Sequence, residues 1–269
     1  MKRHHSFQQG FTMVELSIVL VIIGLIVAGV LVGQDLIRGA EVRATVSQLE
    51  RFSATVNTFR VKYSQIPGDI NKAEDFGLNS PDNPNVGNDG DANGLLSSVN
   101  GNPEIINEAK GEIVNFWFHL SRAKLIEGNF DGAQSDGRLG ETFPRTKMNR
   151  GGFTVYNRDG VNHFHVGVTN SSGTQHTFAN DLKPEEAYGI DVKIDDGLPD
   201  TGGTIAITGD ITEWQDCNPK DVGDENNPGN ICADGGPSGS NFCVNNTATP
   251  REYNLFSTGV LCQLRVRMN

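Results

Sequence analysis

The hydrophobic pattern of this 269-residue chain changes character twice. From Leu16 to Val32 it is an almost unbroken apolar run, and Glu15 is the only charged side chain between Phe11 and Gln34. About 20 apolar residues suffice to cross a bilayer as a helix. A carboxylate at the centre of such a span costs roughly 2.5–3.5 kcal/mol, and less one turn from its end, so Glu15 calls for a compensating partner. Gly24, Gly29 and Gly33 interrupt the run, and Gly29-x-x-x-Gly33 has the spacing of small residues that pack closely between membrane helices.

After Asp35 the apolar positions thin to one stripe. Val42, Val46, Leu49, Phe52, Val56, Phe59 and Tyr63 recur at steps of three and four, with Glu41, Arg43, Glu50, Arg51, Arg60 and Lys62 on the other faces. That periodicity predicts an amphipathic helix with one buried side. Ile66-Pro67-Gly68-Asp69 closes it. A single rod from Phe11 to about Ser64 would measure roughly 80 Å at 1.5 Å per residue. Its first half suits lipid or a filament core, and its second half suits a globular head.

Beyond the rod, residues 75–102 are rich in Gly, Asn, Asp, Pro and Ser and read as loop. Glu104–Glu127 predicts a second helix on the apolar positions Ile105, Ile106, Ala109, Ile113, Phe116, Trp117 and Leu120, ended by Gly128. The cluster Phe116-Trp117-Phe118 reads as core. Residues 129–150 read as loop. Phe153–Tyr156 and Val161–Val168, joined through Arg158-Asp-Gly, predict a β-hairpin. Asp191–Ile194, Gly203–Ile207 and Tyr253–Arg267 are expected as further strands. The fold class expected is α+β: a long N-terminal helix packed on an antiparallel-sheet head with long loops.

Charge and cysteine usage narrow the partners. The formal charge is −11, and removing residues 1–10 takes away Lys2 and Arg3, leaving −13. So acidic a surface argues against nucleic acid, whose phosphates need clustered Lys and Arg. Cys217, Cys232, Cys243 and Cys262 all lie in the last quarter, without a Cys-x-x-Cys knuckle. Four cysteines downstream of a membrane span read as two disulfides in an oxidising compartment, with a four-thiol zinc site as the rival.

The start of the chain resembles a known family. A leader with Lys2 and Arg3, then Gly10, then Phe11-Thr12-Met13-Val14-Glu15 and an unbroken apolar helix, is similar to type IV prepilins and type II secretion pseudopilins. A secretory signal would instead carry its apolar core before the cut. The resemblance implies cleavage between Gly10 and Phe11 by the prepilin peptidase and N-methylation of Phe11. It gives Glu15 the role of partner for the positive amine of a neighbouring subunit, which a buried charge requires. It implies a pilin-like fold divided as leader 1–10, transmembrane or filament-core helix 11–34, amphipathic half 35–66 and periplasmic head 67–269. It also implies local unwinding of the span in the filament; with Val32 near the place where many pilins carry proline, that unwinding rests on glycine. Lys2 and Arg3 place the N-terminus on the cytoplasmic side of the inner membrane. Phe59–Tyr63 through Pro67-Gly-Asp69, and Asp191–Gly197 with Pro199 and Gly202, are similar to secretion pseudopilins as well. The expected function is a structural subunit of a type II secretion pseudopilus or type IV pilus. Its partners are other such subunits, the peptidase and the inner membrane; the alternative is a tip-located adhesin or substrate receptor mounted on a pilin helix. Pilin heads often carry a C-terminal disulfide-bounded region, which fits Cys217–Cys232 and Cys243–Cys262, with the other pairings open.

Three groups of side chains carry possible chemistry in the head. Asp89-Gly-Asp91-Ala-Asn93-Gly94 matches the first six positions of a calcium loop, in which alternate oxygens turn inward and Leu95 would donate its carbonyl. The twelfth position is Asn100 rather than Glu, so a solvated turn-rich loop stands against calcium as a cofactor. Asp195, Asp196 and Asp200 form a second acidic group, read chiefly as turn formers around Gly197. His163 and His165 share one strand face, with His176 as a third candidate, and read as a surface pair rather than metal ligands. A nucleophile elbow, zinc-protease helix motif, phosphate loop and dinucleotide fingerprint are all missing from the sequence, so no enzyme is expected.

Overall fold

The computed structural model describes residues 12–79, 90–97, 111–133, 137–148, 150–158, 160–168, 182–208, 243–245, 250–257 and 262–268. The chain divides into two units, Met1–Glu41 and Val42–Asn269. In the first, the described residues belong to α1, which runs Met13–Tyr63 without a break. Gly24, Gly29 and Gly33 are helical, and a Cβ at any of them would meet nothing within 4 Å. The large apolar side chains from Met13 to Ile37 are 49–86 % exposed, on every face of the helix.

The second unit is built on the later part of α1. Val42, Val46, Leu49, Phe52, Val56 and Phe59 are buried, and Tyr63 packs against the same core, so the predicted stripe is the buried face. Each such side chain contributes about 1.5–3 kcal/mol on leaving water. Helix α2, Glu112–Arg122, lies in the centre of the head with Ile113 to Leu120 buried on all sides. Its Trp117 ring meets Phe52 of α1 edge-on at 5.0 Å and lies 6.4 Å from Phe164. The Phe116-Trp117-Phe118 cluster is therefore core, as its sequence implies.

The strands β1 (Gly152–Arg158), β2 (Val161–Val168), β3 (Thr204–Thr208) and β6 (Cys262–Arg267) form an antiparallel sheet in the order β1-β2-β6-β3. Phe164 of β2 stands opposite Val155 on one side and Val266 on the other, and its ring is fully buried. The short strands β4 (Val244–Asn245) and β5 (Glu252–Tyr253) pair separately. A long helix leading into an antiparallel sheet is the α+β, pilin-like layout expected.

Three local expectations are corrected. Asp191–Ile194 is the end of helix α3, Pro184–Ile194, not a strand. Pro184 occupies the first turn, and the backbone N–H of Lys183 donates to Glu186 Oε2 at 2.9 Å, so the helix starts well before the segment that alternates like a strand. Ala187, Ile190 and Asp191 then form its buried face at helical spacing. The second helix ends at Arg122 rather than at Gly128: Ala123 closes it and Lys124 takes the left-handed conformation with φ 60°. Tyr253–Arg267 is two strands, with a turn at Leu255–Phe256 between them.

A Cys243–Cys262 disulfide, with Cα atoms 5.1 Å apart, ties the start of β4 to the start of β6. Cys217 and Cys232 lie outside the described residues. Both bridged sulfurs are buried. Replacing Cys243 and Cys262 together by Ala is expected to lower the unfolding free energy of the head by about 3 kcal/mol, because the bridge closes a loop of that size class. Urea denaturation of the detergent-solubilised chain checks this, and an unchanged midpoint contradicts it.

Candidate functional site

At the N-terminal end the described chain begins with Thr12, which caps α1. The Thr12 backbone N–H and hydroxyl both donate to Glu15 Oε2 at 2.8 Å, and the Glu15 N–H donates back to Thr12 Oγ1 at 3.2 Å. This is a reciprocal capping box, in which residues three apart satisfy donors that the first helical turn leaves open. Both recorded contacts of the carboxylate go to Oε2. Its negative charge also stands at the positive end of the helix dipole. Sequence reasoning assigned Glu15 an intermolecular role and missed this local one, although Thr-x-x-Glu is its signature. Gly10 and Phe11 lie outside the described residues. Behind the cap, α1 contains an 18-residue window of mean hydropathy 3.0, none of it buried, which is long and apolar enough to cross a membrane.

Residues 5–31 match the family described as the prokaryotic N-terminal methylation motif. The N-terminus is of the type IV prepilin and pseudopilin kind. No curated protein and no solved structure matches the chain. The motif together with one long apolar N-terminal helix fits a pilin-type precursor anchored in an inner membrane.

The head brings together a set of carboxylates that the sequence separates. Asp69, Asp91 and Glu112 each place an oxygen within 4.8 Å of the others. Glycines allow the approach. A Cβ on Gly68, where φ is +89°, would collide with the Glu112 carbonyl oxygen, and one on Gly90 would collide with the Asp69 Cα. The Gly68 N–H donates to His119 Nδ1 at 3.0 Å, and Asn162 clasps the loop from β2 through the Leu96 N–H and the Gly94 carbonyl. Glu112 accepts the Asp91 N–H at 3.2 Å and the Ser97 N–H at 2.9 Å, and Asp69 Oδ2 accepts the Gly94 N–H at 2.7 Å. Burial, reinforced by the Asp69 charge, pushes the Glu112 carboxyl up to about 8; burial also holds Asp69 above its ordinary value.

Of the predicted calcium-loop residues, Asp89 lies outside the described residues and Asp91 joins this cluster. Asn93 turns inward on its own loop: its side-chain amide donates to Asp91 Oδ2 at 2.8 Å, and its Oδ1 accepts the Leu95 N–H at 2.6 Å. Asp69 and Glu112, which complete the group, were invisible to loop spacing because they come from two other segments. His163 and His165 lie on one strand face beside Tyr156, with ring centroids 6.0 and 5.7 Å away, but His165 is fully buried and His163 half-buried, so they are not the surface pair expected; His176 lies outside the described residues.

Asp191, Asp195 and Asp196 also come within 4.8 Å of one another; each has an oxygen engaged by a donor, while Asp191 Oδ1 is buried without a hydrogen-bond partner. Asp195 Oδ2 accepts the N–H groups of Gly203 and Thr204. Asp196 accepts the Leu198 N–H at 2.8 Å and the Thr201 hydroxyl at 2.7 Å, which makes it the turn former its sequence suggests. Asp191, on α3, accepts the Tyr253 hydroxyl at 2.8 Å, locking helix to β5. A groove of about 240 Å³ lies beside Gln48, Arg51 and Phe52; its carboxylate, Glu127, pairs with Arg51 at 3.5 Å.

Burial raises the Asp191 carboxyl from 3.8 to about 7, against the lowering effect of the Tyr253 hydroxyl. The folded state thus holds a proton that the unfolded chain releases, and stability is lost as pH rises between those two values. The stability of Asp191→Asn relative to the parent chain is therefore expected to increase from about pH 4 to about pH 7 and then level off. Thermal melts across that range check it; a pH-independent difference contradicts it.

Proposed function

We propose that the chain is a structural subunit of a type II secretion pseudopilus or a type IV pilus. It is held in the inner membrane, cut between Gly10 and Phe11, N-methylated at Phe11, and assembled through its N-terminal helix. The observation that carries this reading is the passage of the prepilin-type segment into one unbroken helix. That helix exposes apolar side chains on every face at its start and buries a single stripe from Val42 to Phe59. Apolar surface exposed all round a helix is not stable in water, and the two environments that cover it are lipid and other apolar helices. A subunit stored in a bilayer and transferred to a helical bundle uses both in turn.

Glu15 connects the two states. In the bilayer its charge sits near the end of the span, where the cost is lower, and its capping bonds to Thr12 satisfy one oxygen. In a helical bundle an uncompensated carboxylate is costly, and the amine released on Phe11 of a neighbouring copy supplies the opposite charge. Lys2 and Arg3 hold the leader on the cytoplasmic side, which directs the head to the periplasm.

The test separates capping from pairing. Glutamine at the third helical position still serves a capping box but carries no charge. Glu15→Gln and Glu15→Ala are both expected to insert and to be cut, and both to fail in filament assembly seen by electron microscopy. Normal filaments from Glu15→Gln would limit this residue to capping. Replacing Gly10 by Leu is expected to leave the uncut precursor on a gel; complete processing would move the cleavage site elsewhere. Labelled heads found only at filament ends would support the tip-mounted binding module instead.

A further inference from the structure

We propose that the head binds one calcium ion, held by the carboxylates of Asp69, Asp91 and Glu112 where three separate segments meet. The donor set consists of oxygens alone, which hard divalent cations prefer and zinc does not. Oxygens sharing a calcium ion at about 2.4 Å cannot stand more than about 4.8 Å apart, and the three carboxylates satisfy that limit. Magnesium, at about 2.1 Å and with rigid octahedral demands, fits a loop-built and irregular group less well.

Acidic crowding alone would not make a site. The second observation is Asp69, which is 2 % exposed and whose Oδ1 is fully buried without a hydrogen-bond partner. Its other oxygen accepts the Gly94 N–H, so the fold positions this side chain and then leaves half of it unsatisfied. Buried polar atoms are nearly always paired, and an orphaned charged one is costlier than an orphaned neutral one. Beside it stands the carboxyl group of Glu112, 1 % exposed. Among the described residues no Lys or Arg forms an ion pair with Asp69, Asp91 or Glu112. A dication answers the arrangement: it satisfies the orphaned oxygen, favours the ionised form of the buried carboxyls and draws the three groups into shared coordination.

The surroundings are built rather than incidental. The first turn of α2 supplies Glu112, the turn after α1 supplies Asp69, and the loop clasped by Asn162 supplies Asp91. Asp91 is exposed while the other two are not, which leaves one open side for the ion to enter. The backbone N–H bonds already made to Glu112 hold its oxygens in place and leave further lone pairs on them. Binding would therefore tie the loop at residues 90–97 to the rod and to the central helix of the head.

Calorimetric titration of the full chain, purified in detergent and stripped with a chelator, tests the site with calcium chloride as the probe. The expected result is one saturable calcium per chain below millimolar concentration, with a rise in melting temperature. Asp91→Asn is expected to weaken binding at least tenfold, and Asp69→Asn with Glu112→Gln to abolish it. Should the buried double variant fail to fold, the exposed Asp91 carries the test. Absence of saturable binding at millimolar calcium overturns the proposal. So does unchanged binding by Asp91→Asn, and so does equal or tighter binding of magnesium chloride. None of these readouts depends on filament assembly.

Discussion

The head is organised by the burial of one face of α1. Val46, Leu49, Phe52, Val56 and Phe59 are at most 8 % exposed, and Phe59 is fully buried. Phe52 touches both Trp117 of α2 and Phe153 of β1, at centroid distances of 5.0 and 5.2 Å. One helical residue thus links the central helix to the sheet. Aromatic pairs at these distances add about 0.5–1.5 kcal/mol each beyond area burial. The same contact seats α2, whose first turn carries Glu112, against the buried face of α1.

That dependence explains which parts were legible in the sequence. The stripe was readable because helical periodicity over twenty residues is a strong local signal. The leader was readable because glycine, phenylalanine, glutamate and span stand at fixed offsets, and the family match over residues 5–31 falls on the same stretch. The hairpin of β1 and β2 followed from β-branched and aromatic alternation. What failed was short. Asp191-Val-Lys-Ile194 alternates like a strand, yet Pro184 and the Lys183–Glu186 cap had already started a helix seven residues earlier. Lys124 in the left-handed conformation stopped α2 six residues short of the glycine that looked like its terminator.

The carboxylate site shows a different limit. Asp91 lies in a loop whose spacing suggests a cation, while Asp69 and Glu112 sit beside a proline turn and at a helix start, where acidic residues have ordinary local uses. No spacing rule joins positions 69, 91 and 112. They meet because Gly68 and Gly90 remove the side chains that would keep three backbones apart. Those glycines are the sequence trace of the site, although each reads alone as a turn. The second acidic group was legible for the opposite reason, since Asp196 closes its turn within five residues of its own position.

Glu15 and the head carboxylates pose one physical problem in two settings, that of a negative charge placed where water is scarce. For Glu15 the local answer is partial. Thr12 satisfies one oxygen and the helix dipole favours the charge, which on the proposed function leaves the subunit tolerable in lipid while still drawn toward a cation. A fully satisfied glutamate would give no drive to assembly, and a wholly unsatisfied one would oppose insertion. Asp69 is likewise half satisfied, by Gly94, but within a fixed head where no second subunit need arrive. Under the two proposals, the partner suited to the exposed helix is the amine of another copy, and the partner suited to the fixed cluster is a small diffusible dication. The difference between the two follows from where the chain lets each charge be reached.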